Sequence, residues 1–426
     1  MRKRKPEEQK NSGVEWIGKI PLNWEIGKLK FVSKIENGFA FKSEDFVEHG
    51  VPIIRIGDVD GIDSDTKFLP QLYIEKYKRY KISTGDILIA MSGATVGKVG
   101  RFNYHQPGLL NQRVCKISNK HLTHKGYLWH VLSSDRFDKY VKLQAYGGAQ
   151  ENISHSEISH FELSLPPLSE QKAIATFLDH KTQAIDQLIE KKQQLIEKLK
   201  EKRQALITRA VTKGLNSNTP MKDSGIEWLG EIPAHWNLVK FKHSVSLITE
   251  KSDSADFIVA LENLESWTGN YIETDSNYNP SGISFKADDV LFGKLRPYLA
   301  KGYLVEKPGN AIGDFYVFRG KKYLPEYLKM IVLSEIFIDV VDSSTYGAKM
   351  PRASWDFIGE MKLPVPSIDE QKLIIDKVNK HIASAVIIRN RVEKQVEKLK
   401  EYRQSLISAV VTGKIDVRNE GENVNQ

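Results

Sequence analysis

From Glu170 to Lys213, and again from Glu370 to Thr412, the chain carries neither proline nor glycine, and its apolar residues return every third or fourth position. That period predicts one continuous helix in each stretch, roughly 60 Å long at about 1.5 Å of rise per residue. Both begin just past a proline-rich boundary, Leu165-Pro166-Pro167-Leu168-Ser169-Glu170 and Leu363-Pro364-Val365-Pro366-Ser367-Ile368-Asp369-Glu370, where Ser169 and Ser367 or Asp369 are the candidate caps. Gly214 and Gly413 mark where they stop. Leu178, Ile185, Leu199 and Leu206 fall on one heptad position and Leu188 and Leu195 on the other. In the second stretch Val378, Ala385, Val392, Leu399 and Leu406 do so, with Ile374 and Ile388. A stripe of this kind calls for a helical partner, and two such helices in one chain predict an antiparallel coiled coil. Lys192, His381, Gln395 and Tyr402 interrupt the seam. In the simpler alternative each helix caps only its own domain, but a domain of about 130 residues needs far less than 60 Å.

The regions between the helices have a shorter period. Val51–Ile56, Asp86–Met91 and Arg113–Ile117 in one region, and Phe257–Leu261, Asp289–Phe292 and Phe315–Phe318 in the other, are strand-like runs separated by glycine-rich turns. A later helix is predicted over Tyr127–Lys142 and over Leu324–Val341. The fold class is therefore α+β: two mixed α/β domains joined by two long helices. The boundaries read as a leading segment 1–24, a first domain 25–165, a first helix 166–213, a linker 214–236, a second domain 237–366, a second helix 367–413 and a tail 414–426.

Self-comparison turns this into an internal duplication. Ser12-Gly13-Val14-Glu15-Trp16-Ile17-Gly18-Lys19-Ile20-Pro21-Leu22-Asn23-Trp24 returns 212 residues later as Ser224 to Trp236, with eight of thirteen positions identical. Glu197 to Ile207 returns 200 residues later as Glu397 to Ile407, with nine of eleven identical. The regions between these pieces, about 25–162 and 237–362, resemble each other little. Framework repeats while inserts diverge, the pattern of one scaffold presenting two different recognition surfaces.

Composition narrows the class. The single cysteine, Cys115, excludes an internal disulfide framework, so a reducing cytoplasm is the natural home. The basic start Met1-Arg2-Lys3-Arg4-Lys5-Pro6 runs into Glu7 and Glu8 and not into an apolar segment, and Met330–Val341 is interrupted by charge, so neither export nor a membrane span is read. A net charge of +8 makes a polyanionic partner plausible without requiring one.

At this point the residues resemble a known family, the specificity subunits of type I restriction-modification systems. The motifs that carry the likeness are Ser-Gly-x-Glu-Trp-x-Gly-x-Ile-Pro-x-x-Trp at 12–24 and 224–236, Leu-Pro-Pro-Leu-Ser-Glu-Gln at 165–171 with its variant before Glu370-Gln371, and Arg-Gln-x-Leu-Ile followed by Val-Thr at 203–212 and 403–412. The resemblance implies two target recognition domains, each reading half of a bipartite sequence in double-stranded DNA, held apart by the helices. It also implies docking of two methyltransferase (modification) subunits and two restriction/translocase subunits. No cofactor belongs to this subunit; methyl donor, ATP and magnesium are expected in the partners. The Pro-Val-Pro-Ser-Ile-Asp form at 364–369 departs from the pattern at the second helix start.

The chain's own motifs agree with a non-catalytic role. Gly93-Ala94-Thr95-Val96-Gly97-Lys98-Val99 is one residue short of a phosphate loop and lacks the hydroxyl after its lysine. Asn279-Pro280 lacks the aromatic of an amino-methyltransferase motif, and His121 and His124 have no third ligand nearby. Base reading needs polar side chains on loops that can enter a groove. The candidates in the first domain are Lys42, Arg55, Ser92, Thr95, Lys98, Gln112, Arg113, Tyr146, Gln150 and Asn152. In the second they are Lys251, Asn263, Lys294, Arg296, Tyr298, Lys301, Tyr346, Lys349 and Arg352, with Tyr146-Gly147-Gly148-Ala149 and Tyr346-Gly347-Ala348 as equivalent loops. For any one of them a solvated surface group is an equally good reading. The other class of function left open is a coiled-coil interaction scaffold without sequence readout.

Overall fold

A computed structural model describes residues 2–145, 151–276, 278–345 and 350–420. The chain divides into two units, Met1–Lys191 with Gln395–Gln426, and Lys192–Lys394.

In the first unit the strands Val99–Arg101, Ile87–Ala90, Val114–Asn119 and Ser33–Asn37 form one antiparallel sheet in that order. A second sheet runs Lys67–Leu69, Val51–Ile54, Gly108–Leu110, Lys81–Ile82, with Val51–Ile54 and Gly108–Leu110 parallel. The second unit repeats the plan. Val245–Ile248, Phe315–Gly320, Val290–Gly293 and Gly302–Leu304 make its first sheet; Lys251–Ser252, Gly282–Phe285, Gly309–Ala311 and Ile258–Val259 make its second, again with one parallel pair. The predicted strands all exist, most with shifted ends. Runs such as Ile87–Ala90 and Val290–Gly293 are buried at every position, as strands covered on both faces must be.

Each predicted late helix is two helices. They are α1 (Lys125–Leu132) and α2 (Asp135–Ala145) before the long helix α3 (Leu168–Lys213), and α4 (Pro325–Val332) and α5 (Glu335–Ser343) before α6 (Ile368–Val411). A buried serine breaks each one. Ser134 and Ser334 donate Oγ–H to the carbonyls of Val131 and Ile331, at 2.6 and 2.7 Å, and this local bond competes with continuation of the helix.

The long helices span 46 and 44 residues and stop at Gly214 and Gly413, both in the left-handed region that glycine adopts without strain. Ser367 caps α6, its Oγ accepting the Glu370 N–H at 3.3 Å. Ser169 caps nothing: it lies in the first turn of α3, where the Gln171 N–H already bonds the Pro167 carbonyl. Within the first unit the opening turns of α3 (Ile174, Phe177, Leu178) share one core with the closing turns of α6 (Leu406, Ile407, Val410), and Arg403 grips Asp186 with two bonds of 2.9 and 3.1 Å. Within the second, the closing turns of α3 (Ile207, Ala210, Val211) share a core with Ile374 and Val378 of α6. In both units the two helices run in opposite directions.

Three of the thirteen predicted seam residues are out of register, while Leu399, like most of the others, is at least half-buried. Leu178, Ile185, Ile374, Val378, Val392 and Leu406 are buried, and Leu199, Leu206 and Ala385 are half-buried. Leu188, Leu195 and Ile388, however, are 43%, 42% and 46% exposed. The second seam position lies one residue later: Thr182, Ile189, Ile196, Arg203 and Ala210 on α3, and Ile382, Arg389, Val396, Arg403 and Val410 on α6, all buried or half-buried. Arginines and a threonine occupy that row, so its apolar signal is weak, while three exposed aliphatic residues beside it mimic a stripe. Ile189→Ala should therefore cost about 2–4 kcal/mol and Leu188→Ala no more than about 0.5 kcal/mol. Urea unfolding of the two variants checks this, and equal losses would restore the original register.

The repeated tryptophan motif anchors the helix starts. Trp24 and Trp236 are fully buried, and their indole N–H groups donate to Glu170 and Glu370 at 3.0 and 2.9 Å. Those carboxylates sit in the first turn of α3 and α6, where a negative charge complements the helix dipole. In the first unit Arg4 also pairs with Glu170, and strand Arg2–Lys3 pairs with Ile415–Asp416, which ties these two segments together within that unit.

Candidate nucleic-acid interface

In the first unit, strand Ile87–Ala90 leads through a short turn, Gly93–Thr95, to strand Val99–Arg101. Three backbone bonds tie this loop to two neighbours: Met91 N–H to the Arg113 carbonyl, Ile153 N–H to the Met91 carbonyl and Gly93 N–H to the Glu151 carbonyl, each 2.9 Å. The second unit makes the same three bonds, each 2.8 Å: Lys294 N–H to Asp314, Ala353 N–H to Lys294 and Arg296 N–H to Pro351. Isolated bridges Ser92↔Asn152 and Leu295↔Arg352 complete the correspondence. One loop junction is thus built twice, with different side chains on the same backbone. Met91, Ser92, Gly93, Arg113 and Asn152 in one unit stand where Lys294, Leu295, Arg296, Asp314 and Arg352 stand in the other.

Those substitutions change the chemistry. In the second unit Asp314 holds Arg352 at 3.0 Å and Lys294 at 3.7 Å, and Lys294 also lies 5.5 Å above the Tyr316 ring. Burial, with Asp356 and Asp314 nearby, pushes the Tyr316 hydroxyl pKa up, so Tyr316 remains a neutral platform. Arg296 is exposed, and among the described residues no acid forms an ion pair with it. The first unit presents Gln112 and Arg113 instead, both exposed on the turn between strands Gly108–Leu110 and Val114–Asn119. Such polar ends on a rigid frame are the groups that read base edges or hold phosphates.

Arg296 carries a backbone cost. Its φ of 51° is left-handed, whereas the matching residue in the first unit is Gly93 with φ 75°. Holding a non-glycine residue there costs about 1–3 kcal/mol, part of which glycine's greater unfolded-state freedom would offset. Arg296→Gly should then raise stability by up to about 1 kcal/mol while weakening duplex binding. Thermal melting and a binding titration on one sample test both halves; a variant that is destabilised, or that binds as wild type, would refute the trade.

The remaining candidates are scattered around these junctions. Lys42 is exposed and paired with Glu44 at 3.1 Å, and Lys98 is paired with Asp60 at 2.6 Å. Arg55 turns back onto Asp58 and the Asp65 carbonyl, and Thr95 donates to the Ile56 carbonyl at 3.3 Å. Asn152 is exposed at the junction, but Ser92 beside it is buried and so not presented to a ligand. Lys251 is exposed on its strand, and Tyr298 is 45% exposed beside Arg296. Asn263 must be withdrawn: it is 1% exposed, and its amide is committed to the Ala260 N–H, the Ile272 carbonyl and Thr274. Lys301 is turned inward as well, donating to the Leu261 carbonyl at 2.6 Å, with its pKa lowered by burial. Tyr146, Gln150, Tyr346 and Lys349, and with them the proposed equivalent loops, lie outside the described residues. The sequence reading missed Asp314, whose place in the turn Gly313-Asp314, directly before a strand, was the available signal.

Among the described residues no group of three or more His, Cys, Asp and Glu is arranged to hold a metal, and no helix is long and apolar enough to cross a membrane. Cys115 is fully buried, and burial pushes its thiol pKa up to about 12.

Residues 21–198 match the type I restriction modification DNA specificity domain. The type I restriction enzyme MjaVIII specificity subunit of Methanocaldococcus jannaschii is 34% identical over 176 residues, which is 39% of this chain and 41% of that protein. The putative type I restriction enzyme MjaX specificity subunit of the same organism is 25% identical over 441 residues, 94% of this chain and 96% of the relative. A solved structure described as the structural basis of complex assembly and conformational transition of the type I R-M system has the same fold, with a TM-score of 0.69 at 11% identity over 93% of this chain and 99% of that one. With the duplicated framework and the paired helices, the chain is thus similar over residues 21–198 to the type I restriction modification DNA specificity domain, and over nearly its whole length to the MjaX specificity subunit.

Proposed function

We propose that each unit reads one half of a bipartite sequence in double-stranded DNA, and that the paired helices set the gap between the half-sequences. The observation that carries this reading is the loop junction built twice on identical backbone bonds with different side chains: Gln112 and Arg113 reach out from one, Lys294, Arg296 and Arg352 from the other. A frame kept constant beneath divergent polar ends serves two different readouts. The helices also offer exposed aliphatic residues, Leu188 and Leu195 on α3 and Ile387 and Ile388 on α6, for docking of two modification subunits, with two restriction/translocase subunits joining the larger assembly. Methyl donor, ATP and magnesium would then act in those partners, in the cytoplasm where the DNA is.

The test is to map methylated adenines in a host carrying this chain with its modification subunits. The expected result is one defined motif made of two short sequences at a fixed gap. Methylation at a continuous motif, or with no motif, would contradict the reading and favour a scaffold without sequence readout.

A further inference from the structure

Outside the junctions, the first unit carries a run with no counterpart in the second. Lys76-Tyr77-Lys78-Arg79-Tyr80-Lys81 contains four cations in six residues. Its position in the second unit follows from the strand register: Gly108 faces Ile82 and Leu109 faces Lys81, as Gly309 faces Phe285 and Asn310 faces Ser284. Lys76–Lys81 therefore corresponds to Asn279-Pro280-Ser281-Gly282-Ile283-Ser284, which has no charged residue.

The run is folded to present its cations. Tyr73, Tyr77 and Tyr80, spaced by four and three residues, pack against the small core of Val51, Ile53, Leu69, Ile74 and Leu109. Lys76, Lys78 and Arg79 are left exposed. Lys76 rides over the rings of Tyr73 and Tyr77 at 4.9 and 5.3 Å, and Arg79 lies 5.9 Å from the Tyr80 ring centre. Among the described residues none of the three has an acid within ion-pair distance, whereas Lys42, Lys98, Lys125 and Lys139 of the same unit are all paired. Unpaired cations held over aromatic faces remain available to an external anion.

The run also adjoins the reading junction. The Phe39 ring packs on Tyr77 and Tyr80 at 4.9 and 5.3 Å, and the Phe39 carbonyl accepts the Gln112 N–H at 3.0 Å, next to Arg113. On its other side Arg79 and Tyr80 help line a cleft of 620 Å³ shared with His155 and with Lys34, which is paired with Glu36 at 2.7 Å. We infer that Lys76, Lys78 and Arg79 form a duplex-backbone clamp peculiar to the first unit, which supplies sequence-independent, ionic grip beside the bases that Gln112 and Arg113 face. The inference rests on the DNA-reading role proposed above and adds that the two units grip DNA unequally, the first through more phosphates.

The test uses the full chain with its modification subunits and a fluorescent duplex, titrated over a range of potassium chloride concentrations. Each lost phosphate contact flattens the plot of log affinity against log salt by about 0.9. The triple variant K76A/K78A/R79A should flatten it by about 2 to 3 and, with the two plots meeting at about 1 M, bind at least roughly a hundredfold more weakly near 0.1 M salt, with the methylated motif unchanged. K78E, which alters one exposed side chain, should weaken binding in the same direction, and K76R/K78R/R79K should restore it. An unchanged slope in the triple variant while the wild type binds and methylates a defined motif overturns this inference alone. So does a loss confined to single-stranded DNA, or a loss of subunit assembly with duplex affinity intact. Failure of the wild type to bind duplex at all overturns the DNA-reading role and this inference together.

Discussion

Replacing Trp236 by alanine is expected to destabilise the chain by about 3–5 kcal/mol, the range for removing a fully buried tryptophan. Two effects add here. The indole fills the space between the linker and the end of α3, in a core with Ile207, Ala210 and Val211. It also donates to Glu370 at 2.9 Å, so truncation leaves that carboxylate, among the described residues, with only the His235 ring nitrogen, itself 2.9 Å away. Trp236→Phe keeps most of the packing and removes the N–H, and should cost about 1.5–3 kcal/mol, the value of a hydrogen bond to a charged group. Because whole-domain stabilities are about 5–15 kcal/mol, the alanine variant should be visibly compromised at 37 °C. Trp24→Ala should behave alike through Glu170. Chemical denaturation gives the sizes directly, and a loss below about 1 kcal/mol in both would remove the tryptophan motif from its anchoring role.

Inserting one heptad in each long helix, after Lys191 in α3 and after Lys394 in α6, should lengthen the gap between the recognised half-sequences and leave both half-sequences intact. The insertion points are the places where each helix passes from one unit's residues to the other's. Seven residues preserve the heptad stripe and so keep the seam residues on one face. They add about 10.5 Å of helix at 1.5 Å per residue, which matches about three base pairs at 3.4 Å each. Three base pairs also turn the far half-site by roughly a third of a helical turn, so affinity should fall while the preferred gap grows. Motif mapping with the inserted variant checks this. Altered half-sequences at an unchanged gap would remove the helices from the measuring role.

How much of this was legible in the sequence differs by element. The long helices were, because forty residues without proline or glycine leave few other options, and Gly214 and Gly413 end them as expected. Their seam was partly legible. A row containing Arg203, Arg389 and Arg403 is hard to recognise as buried, since long cationic side chains lay their stems along the seam and carry their charge to its edge. The serine breaks at Ser134 and Ser334 depend on a hydroxyl bonding its own backbone, which apolar periodicity does not register. Asn263 looked like a reader because asparagine suits adenine, but its amide stitches one turn to another. The repeated junction was invisible because what repeats is a set of backbone bonds. Its offset between units is 203 residues at Met91 and Lys294 but 200 at Ile153 and Ala353, and hardly a side chain matches.

The sharpest measurement is an exchange of reading units. Residues 237–366 of the second domain would be replaced by a copy of 25–165, framework and helices kept, and methylated adenines mapped in a host that supplies the modification subunits. Independent reading heads on an antiparallel frame predict a symmetric motif: the half-sequence of the first domain present twice, in inverted orientation, with the second half-sequence gone. If the exchanged protein folds and assembles yet still methylates the original asymmetric motif, the two units are not the readers of two half-sites.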